Sequence, residues 1–218
     1  SHELRTPLTS IKGWAETLQD LQDDPAVTQE GLAIIGRETD RLIILVNDLL
    51  DFSKLQAHRI ELKKTEFSIK QLLTDVHNQF VIRCHQEKIK MTLLTDNRES
   101  WVFADYNRLK QVFINIVDNA IKFTAGRPKA EIKISSQVLD DQIVMIIEDN
   151  GSGISTEDLK RVKEKFYKGS SNKSGTGLGL SIASEIMELH GGKMLIDSIQ
   201  EKGTKVVLLM PYYYELQR

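Results

Sequence analysis

Along the first twenty residues the apolar positions Leu4, Leu8, Ile11, Trp14 or Ala15, and Leu18 recur at intervals of three and four. That spacing predicts a helix with one buried stripe. Pro7 lacks a backbone donor and predicts a kink close to His2. Asp20 to Val27 is polar and contains Pro25, the pattern of an interhelical loop. A longer helix is predicted from Thr28 to Ala57. Its stripe is Leu32, Ile35, Leu42, Val46, Leu49 and Phe52 at near-heptad spacing, widened by Ile34, Ile43, Leu45 and Leu50. Two such helices make a hairpin with more apolar surface than one hairpin buries, which predicts a homodimer closed as a four-helix bundle.

Beyond Arg59 the period changes. Residues 60–66 read as an extended linker, with Ile60 and Leu62 alternating against charges. Helix Ile69 to Glu87 follows, then strands near Ile89–Thr95 and Trp101–Ala104. The next helix, Asp105 to Phe123, buries Leu109, Val112, Phe113, Ile116, Val117 and Ala120. Strands Ala130–Leu139 and Gln142–Glu148 flank Asp140-Asp141 and read as a hairpin. Residues 155–165 predict a charged helix, and Lys168 to Ser174 a polar loop. Helix Leu178 to Leu189 precedes two strands, Lys193–Ser198 and Thr204–Met210. Strands in hairpins with helices between them predict an α+β sandwich, with helices on one face of a mostly antiparallel sheet. The expected division is 1–62 for the helical hairpin and 63–218 for the sandwich.

Composition narrows the function classes. A net charge of −2 over 218 residues gives no electrostatic reason to expect nucleic acid. Cys84 is the sole cysteine, which excludes a disulfide framework and a thiolate metal cluster and fits a reducing compartment. No apolar run approaches the ~20 residues that span a bilayer, and no signal-peptide pattern opens the chain, so no membrane contact is expected from these residues. The start at Ser1, without Met, is expected of a fragment of a longer protein.

Candidate chemistry gathers at three places. Asp149-Asn150-Gly151-Ser152-Gly153-Ile154 follows the apolar run Ile143–Glu148. A carboxylate ending a buried strand and opening onto Gly-x-Gly is poised to face a small ligand, although the same residues also suit a plain turn. Asn115 and Asn119, four apart, share a face of the preceding helix, with Lys122 three further on. Amide oxygens ligate Mg²⁺ and a lysine neutralises phosphate, while a solvated polar face is the alternative. Gly175-Thr176-Gly177-Leu178-Gly179-Leu180 opens a helix, as phosphate-binding loops do, or forms a flexible hinge. Its spacing is neither that of a dinucleotide-binding turn nor that of a P-loop.

The order Asn115-x3-Asn119-x2-Lys122, Asp149-x-Gly151-x-Gly153, Phe166-Tyr167 and Gly175-x-Gly177-x-Gly179 resembles the N, G1, F and G2 boxes of sensor histidine kinases. Ser1-His2-Glu3-Leu4-Arg5-Thr6-Pro7-Leu8 resembles their H box, so the likeness covers nearly the whole chain. It implies a Bergerat-type ATP-binding sandwich behind a dimerisation hairpin. His2 is implied as phosphoacceptor, Glu3 as the acid that takes the imidazole proton, and Thr6 as the residue orienting water when a phosphorylated partner is dephosphorylated. Asp149 is implied to accept from the adenine amino group, with Gly151, Gly153 and, more distantly, Thr204 beside the base. Asn119 and Asn115 are implied as Mg²⁺ ligands, and Lys122, Phe123, Tyr167, Lys168, Gly175, Gly177, Leu178 and Gly179 as further parts of the ATP site. The implied partner is the receiver domain of a response regulator, and the implied location is the cytoplasmic end of a membrane-attached bacterial sensor.

Three positions depart from the common pattern: Phe123 stands where many relatives have Tyr, Lys163 where Phe is frequent, and Lys168 where Arg is. These bear on how a lid docks over the nucleotide. Two other readings remain at this point: a catalytically silent dimer scaffold that binds ATP, and an ATP hydrolase related to gyrase, which gives no reason for His-Glu-x-x-Thr on a hairpin.

Overall fold

Apolar periodicity builds two units, Ser1–Arg59 and Ile60–Arg218, in the computed structural model. The structure describes residues 2–20, 24–56, 61–96, 100–169 and 176–212. In the first unit α1 (His2–Asp20) packs on α2 (Pro25–Gln56). The helix α1 continues through Pro7, five residues from its start. The helix α2 begins earlier than its sequence pattern implies. Asp24 Oδ1 accepts from Ala26 N at 2.9 Å and from Val27 N at 3.3 Å. Pro25 then occupies the first turn, where its missing N–H costs nothing. Proline read as a loop marker is here a helix start.

The two helices approach closely at Gly31, where a Cβ would lie 2.9 Å from the Trp14 ring. Leu45 is buried, whereas Leu32, Ile43, Ile44, Val46 and Leu50 are exposed. Leu32 and Val46 therefore belong to an outer apolar face and not to the seam with α1. Among the described residues no helix is long and apolar enough to cross a membrane.

In the second unit the segment 61–64 leads into β1 (Thr65–Ser68), which pairs antiparallel with β3 (Trp101–Ala104). The extended character of this stretch is legible in the sequence; its pairing partner, more than thirty residues on, is not. The main sheet has the order β2-β4-β5-β7-β6, comprising β2 (Lys90–Thr95), β4 (Glu131–Leu139), β5 (Gln142–Asp149), β6 (Lys193–Ile199) and β7 (Gly203–Pro211). Only β2 and β4 run parallel.

Alternate residues Ile132, Ile134, Ile143, Met145, Ile147, Val206, Leu208 and Met210 are buried. They face α3 (Ile69–Gln86), α4 (Tyr106–Thr124) and α6 (Gly179–Leu189), which supply Leu72, Val76, Leu109, Phe113, Val117, Ile182 and Ile186 to the same core. The predicted α+β sandwich, helices on one face of a mostly antiparallel sheet, is the architecture observed. The charged stretch 155–165 yields only one helical turn, α5 (Thr156–Leu159), capped by Ser155 Oγ accepting from Asp158 N. It has no apolar stripe to bury, and turns take over beyond it.

Phe113 is fully buried at the centre of this core. Phe113→Ala is expected to lower the stability of the second unit by about 3–5 kcal/mol. Chemical denaturation followed by a probe in that unit measures it, and a loss near zero would contradict the core assignment.

Candidate functional site

The site is built along α4. At its start Asp105 is the N-cap, its Oδ1 accepting from Arg108 N at 3.1 Å. One strongly apolar face holds the helix against the sheet and leaves Asn115, Asn119, Lys122 and Phe123 partly exposed on the other side. Asn115 Nδ2 donates to the Gly179 carbonyl at 3.1 Å and so ties mid-α4 to the first residue of α6. Just before that residue, Thr176 Oγ1 accepts from Leu178 N at 3.1 Å, and Leu178 itself is buried. At the far end of α4 the Lys122 ammonium lies 4.8 Å from the centroid of the Phe123 ring.

Here the strand-end motif docks. Ser152 N donates to the Phe123 carbonyl at 3.1 Å, and Gly151 N donates to Asp149 Oδ1 at 2.8 Å. Gly153 has φ +64, and a Cβ there would lie 2.1 Å from the Ile199 carbonyl oxygen. No side chain is compatible with both conditions. Gly203, with φ +127, presents the same constraint from the other strand, 1.9 Å from the Asp149 carbonyl oxygen. The loop is thus wedged between the last turn of α4 and the β6–β7 connection, and its glycines serve that closure first.

Burial pushes the Asp149 carboxyl above the usual carboxylate range, although hydrogen bonds from Gly151 N and Thr204 N, the Thr124 hydroxyl and the Arg127 charge pull the other way. The Thr124 oxygen is fully buried beside this carboxyl without a hydrogen bond of ordinary geometry. A half-buried carboxylate at a strand end, held by two backbone donors, is an acceptor placed for an N–H donor of a ligand.

The structure brings Asp149, Gly151, Gly153, Thr204 and Phe123 together at one end of α4, and Asn115, Leu178 and Gly179 together at its middle, with Asn119 and Lys122 between. Gly177, next to Leu178 in the chain, accepts through its carbonyl from Phe166 N at 3.0 Å, which ties it to the segment before the loop. Tyr167 is directed elsewhere: its hydroxyl donates to Asp158 Oδ1 at 2.6 Å, and the Arg161 guanidinium sits 4.2 Å from its ring centroid. Lys168 is exposed. Gly175 lies outside the described residues. In the first unit His2 and Glu3 open α1, their side chains outside the described set, and Thr6 is exposed one turn on.

The departing residue Lys163 donates through Nζ to the Met194 carbonyl on edge strand β6 at 2.5 Å, and Lys165 pairs with Glu185 of α6 at 2.7 Å. Charged contacts thereby fasten this segment to the sheet and to α6.

Three residues that support the site escape sequence reasoning. Ser198 Oγ accepts from Ile154 N at 2.9 Å, donates to the Gly203 carbonyl at 2.8 Å, and lies 3.0 Å from Thr204 Oγ1. Asn150 Oδ1 accepts from Glu131 N at 2.7 Å while its Nδ2 donates to the Lys129 carbonyl at 2.8 Å. Arg127 bonds the Glu201 carboxylate at 2.9 Å and its carbonyl at 3.0 Å. Asn150 sits inside a recognisable motif and so carried some signal; Ser198 and Arg127 act across more than forty residues and carried none. A groove of about 610 Å³ opens on the helix-free face of the sheet and shares Asp149, Asn150, Ser198, Gly203 and Thr204 with the site. Thr92, Lys133, Glu148, Asp197 and Lys205 complete its lining. Its ion pairs, such as Lys205–Glu148 at 3.1 Å, are self-satisfied, and none of the α4 residues reach it.

Comparisons with known proteins agree with this geometry. A family model for the histidine kinase-, DNA gyrase B- and HSP90-like ATPases matches residues 104–213, and one for the His kinase A phospho-acceptor domain matches residues 1–58. The sensor protein kinase WalK of Staphylococcus aureus is 31% identical over 97% of this chain, which covers 52% of that relative. WalK proteins from several strains of the same species are covered to 35%, so the chain spans about a third to a half of the length of these relatives. Among solved structures, the histidine kinase AdeS of Acinetobacter baumannii superposes with a TM-score of 0.77 at 27% identity, covering 98% of this chain and 99% of that one. Histidine kinase ThkA in complex with the response regulator protein TrrA gives 0.78 at 30% identity, covering 99% of this chain and 60% of that one.

The raised pKa of Asp149 means that the folded state binds its proton more readily than the unfolded chain does. The burial cost is therefore absent at low pH and fully felt once the pH exceeds the raised value. Asp149→Asn keeps the accepting Oδ1 and removes the charge. Its melting temperature is expected to equal or exceed that of the parent at pH 7.5, with the difference vanishing toward pH 4; thermal melts at both values check it. A variant clearly less stable at pH 7.5 would show that the charge is stabilising.

Proposed function

We infer that this chain, which belongs to the histidine kinase family, is the catalytic core of an ATP-dependent sensor kinase that phosphorylates its own His2 and passes the phosphoryl group to an aspartate on a response regulator. The observation that carries this is the single strip along α4. Asn115 bridges to the start of α6 at one end, and the Asp149–Gly153 loop closes on Phe123 at the other. A nucleotide laid along the strip meets an acceptor for its base and, farther along, amides, an ammonium and helix-terminal N–H groups for its phosphates.

On this reading Asp149 accepts from the adenine amino group, with Thr204 and Gly151 holding the carboxylate in place. Lys122 supplies positive charge, and the start of α6, with Gly177, Leu178 and Gly179, offers backbone donors to the phosphates. The Asn115 bond to Gly179 uses its amide nitrogen, which leaves the amide oxygen for a hard cation; Asn119, one turn on, adds the same donor type, so the pair fits Mg²⁺. When bound, Mg²⁺ would neutralise phosphate charge during in-line transfer. The imidazole of His2 forms the new P–N bond as the bond from the γ-phosphorus to the ADP oxygen breaks, and Glu3 takes the imidazole proton. Thr6 orients water for the reverse duty, hydrolysis of the phosphorylated partner.

The exposed apolar face of α2, including Leu32, Ile44 and Leu50, fits pairing with a second copy as a four-helix bundle. ThkA, solved with its response regulator, is the precedent for the receiver partner. The role assigned to the first unit is dimerisation and phosphoacceptance, and to the second ATP binding. The membrane-attached sensor with a cytoplasmic catalytic end is the whole protein to which such a core corresponds.

Incubation with Mg·ATP is expected to give acid-labile phosphate on the parent chain and none on His2→Gln. Equal labelling of the two would refute His2 as acceptor, and ATP hydrolysis without any phosphoprotein would favour a hydrolase. Asp149→Asn is expected to weaken ATP binding by about tenfold or more, the loss of a charged hydrogen bond, while sedimentation shows an unchanged dimer. Unaltered nucleotide affinity would exclude Asp149 from base recognition.

A further inference from the structure

A buried imidazole joins the two helices of the site at the end remote from their phosphate-binding turn. His190 is the C-cap of α6 and is 7% exposed. Both its nitrogens are engaged: Nδ1 lies 2.8 Å from the Ile186 carbonyl and donates to it, and Nε2 accepts from Asp105 N at 3.0 Å. Asp105 is also buried and serves two masters. Its Oδ1 caps α4, and its Oδ2 accepts at 2.9 Å from Lys63 N, in the segment that enters this unit after the hairpin.

The pair α4 and α6 is thus tied twice, by His190–Asp105 and by Asn115–Gly179. Asp105 to Asn115 and Gly179 to His190 each span about 15 Å of helix, so the two ties are matched in length on neighbouring rods. A slip at the first tie moves the second, because a helix transmits axial displacement with little give.

We propose that His190 is a positioning residue for phosphoryl transfer, holding α4 and α6 in register through Asp105 and linking that register to the entering segment at Lys63. The proposal rests on the kinase reading above. Only neutral imidazole with its proton on Nδ1 serves, since a second proton on Nε2 would face the Asp105 N–H, donor against donor. The groups that bear on its charge are Lys64, which with burial pushes the imidazole below its usual range, and Asp105 and the Ile186 carbonyl, which oppose them. The neutral form therefore prevails at pH 7.5. In the folded chain the tie breaks as the pH falls through the depressed value, while its contribution to folding stability begins to fall already below the ordinary imidazole value of about 6.5.

The test uses the full chain with a fluorescent ATP analogue and a parallel autophosphorylation assay. His190→Gln places an uncharged acceptor at the same reach and is expected to match the parent at pH 7.5. As the pH is lowered from 7.5 through the depressed imidazole value, the parent is expected to lose about three- to tenfold more nucleotide affinity than this variant, as one buried hydrogen bond is surrendered. His190→Leu is expected to bind about tenfold more weakly at both pH values. Lys63→Pro, which removes the N–H that Asp105 accepts, is expected to slow autophosphorylation, and its effect is expected to be non-additive with His190→Leu. A Leu variant that melts lower yet binds nucleotide as the parent does, with an unshifted pH profile, would overturn the proposal and leave His190 a packing residue. Full additivity with Lys63→Pro would overturn the link to the entering segment. Absence of nucleotide binding in the parent itself would sink the kinase reading and this proposal together, so the two failures are distinguishable.

Discussion

Everything at the site depends on a steric constraint: the strand-end loop must pass between the last turn of α4 and the β6–β7 connection with no room for a side chain. A Cβ at Gly153 would be 2.1 Å from one carbonyl oxygen and a Cβ at Gly203 1.9 Å from another, both far inside contact distance. Closure to that degree sets Asp149 at its strand end and holds Gly151 N against its carboxylate. It also brings the Phe123 carbonyl onto Ser152 N. The loop is therefore rigid before any ligand arrives, and it spends little binding energy on being ordered. The sheet supplies this rigidity, since β5 pairs on both edges and β7 closes the gap through its register of Asp149 with Thr204.

That rigidity has an electrostatic cost. A carboxyl packed this tightly has its pKa raised, and the fold tolerates it only because two backbone donors and a nearby guanidinium offset part of the desolvation. Ser198 contributes by a different route. It holds Ile154 N and the Gly203 carbonyl at once, so the loop and the strand that would otherwise drift apart share one hydroxyl. The position of Asp149 is consequently a property of four chain segments, and a single motif is only its visible part.

How much of this was legible follows from range. Elements whose burial repeats within a few residues are plain in the sequence: the stripe of α4, the alternation of β4 and β5, and the hairpin turn at Asp140-Asp141 all have local causes. Pro25 misleads because the same missing N–H suits a loop or a first helical turn, and only the Asp24 cap decides between them. Residues 155–165 mislead because charge alone mimics a solvated helix when nothing apolar holds it down. The glycines, asparagines and Asp149 were legible as a set through their order along the chain. Ser198, Arg127 and the pairing of β1 with β3 were not, since each acts through a partner fixed only by the tertiary fold.

The same argument bears on the division of labour proposed for the two units. A glycine-closed loop around one half-buried carboxylate keeps its contacts at fixed distances, which suits the nucleotide-holding role proposed for it. The proposed acceptor stands on a helical hairpin whose outer face is rich in exposed Leu, Ile and Val. Helices that slide on an apolar seam reposition cheaply, whereas a wedged loop does not. Within the second unit the backbone contact between Lys63 and Asp105 lies near its beginning, so a displacement of the segment 61–64 reaches α4 at its cap.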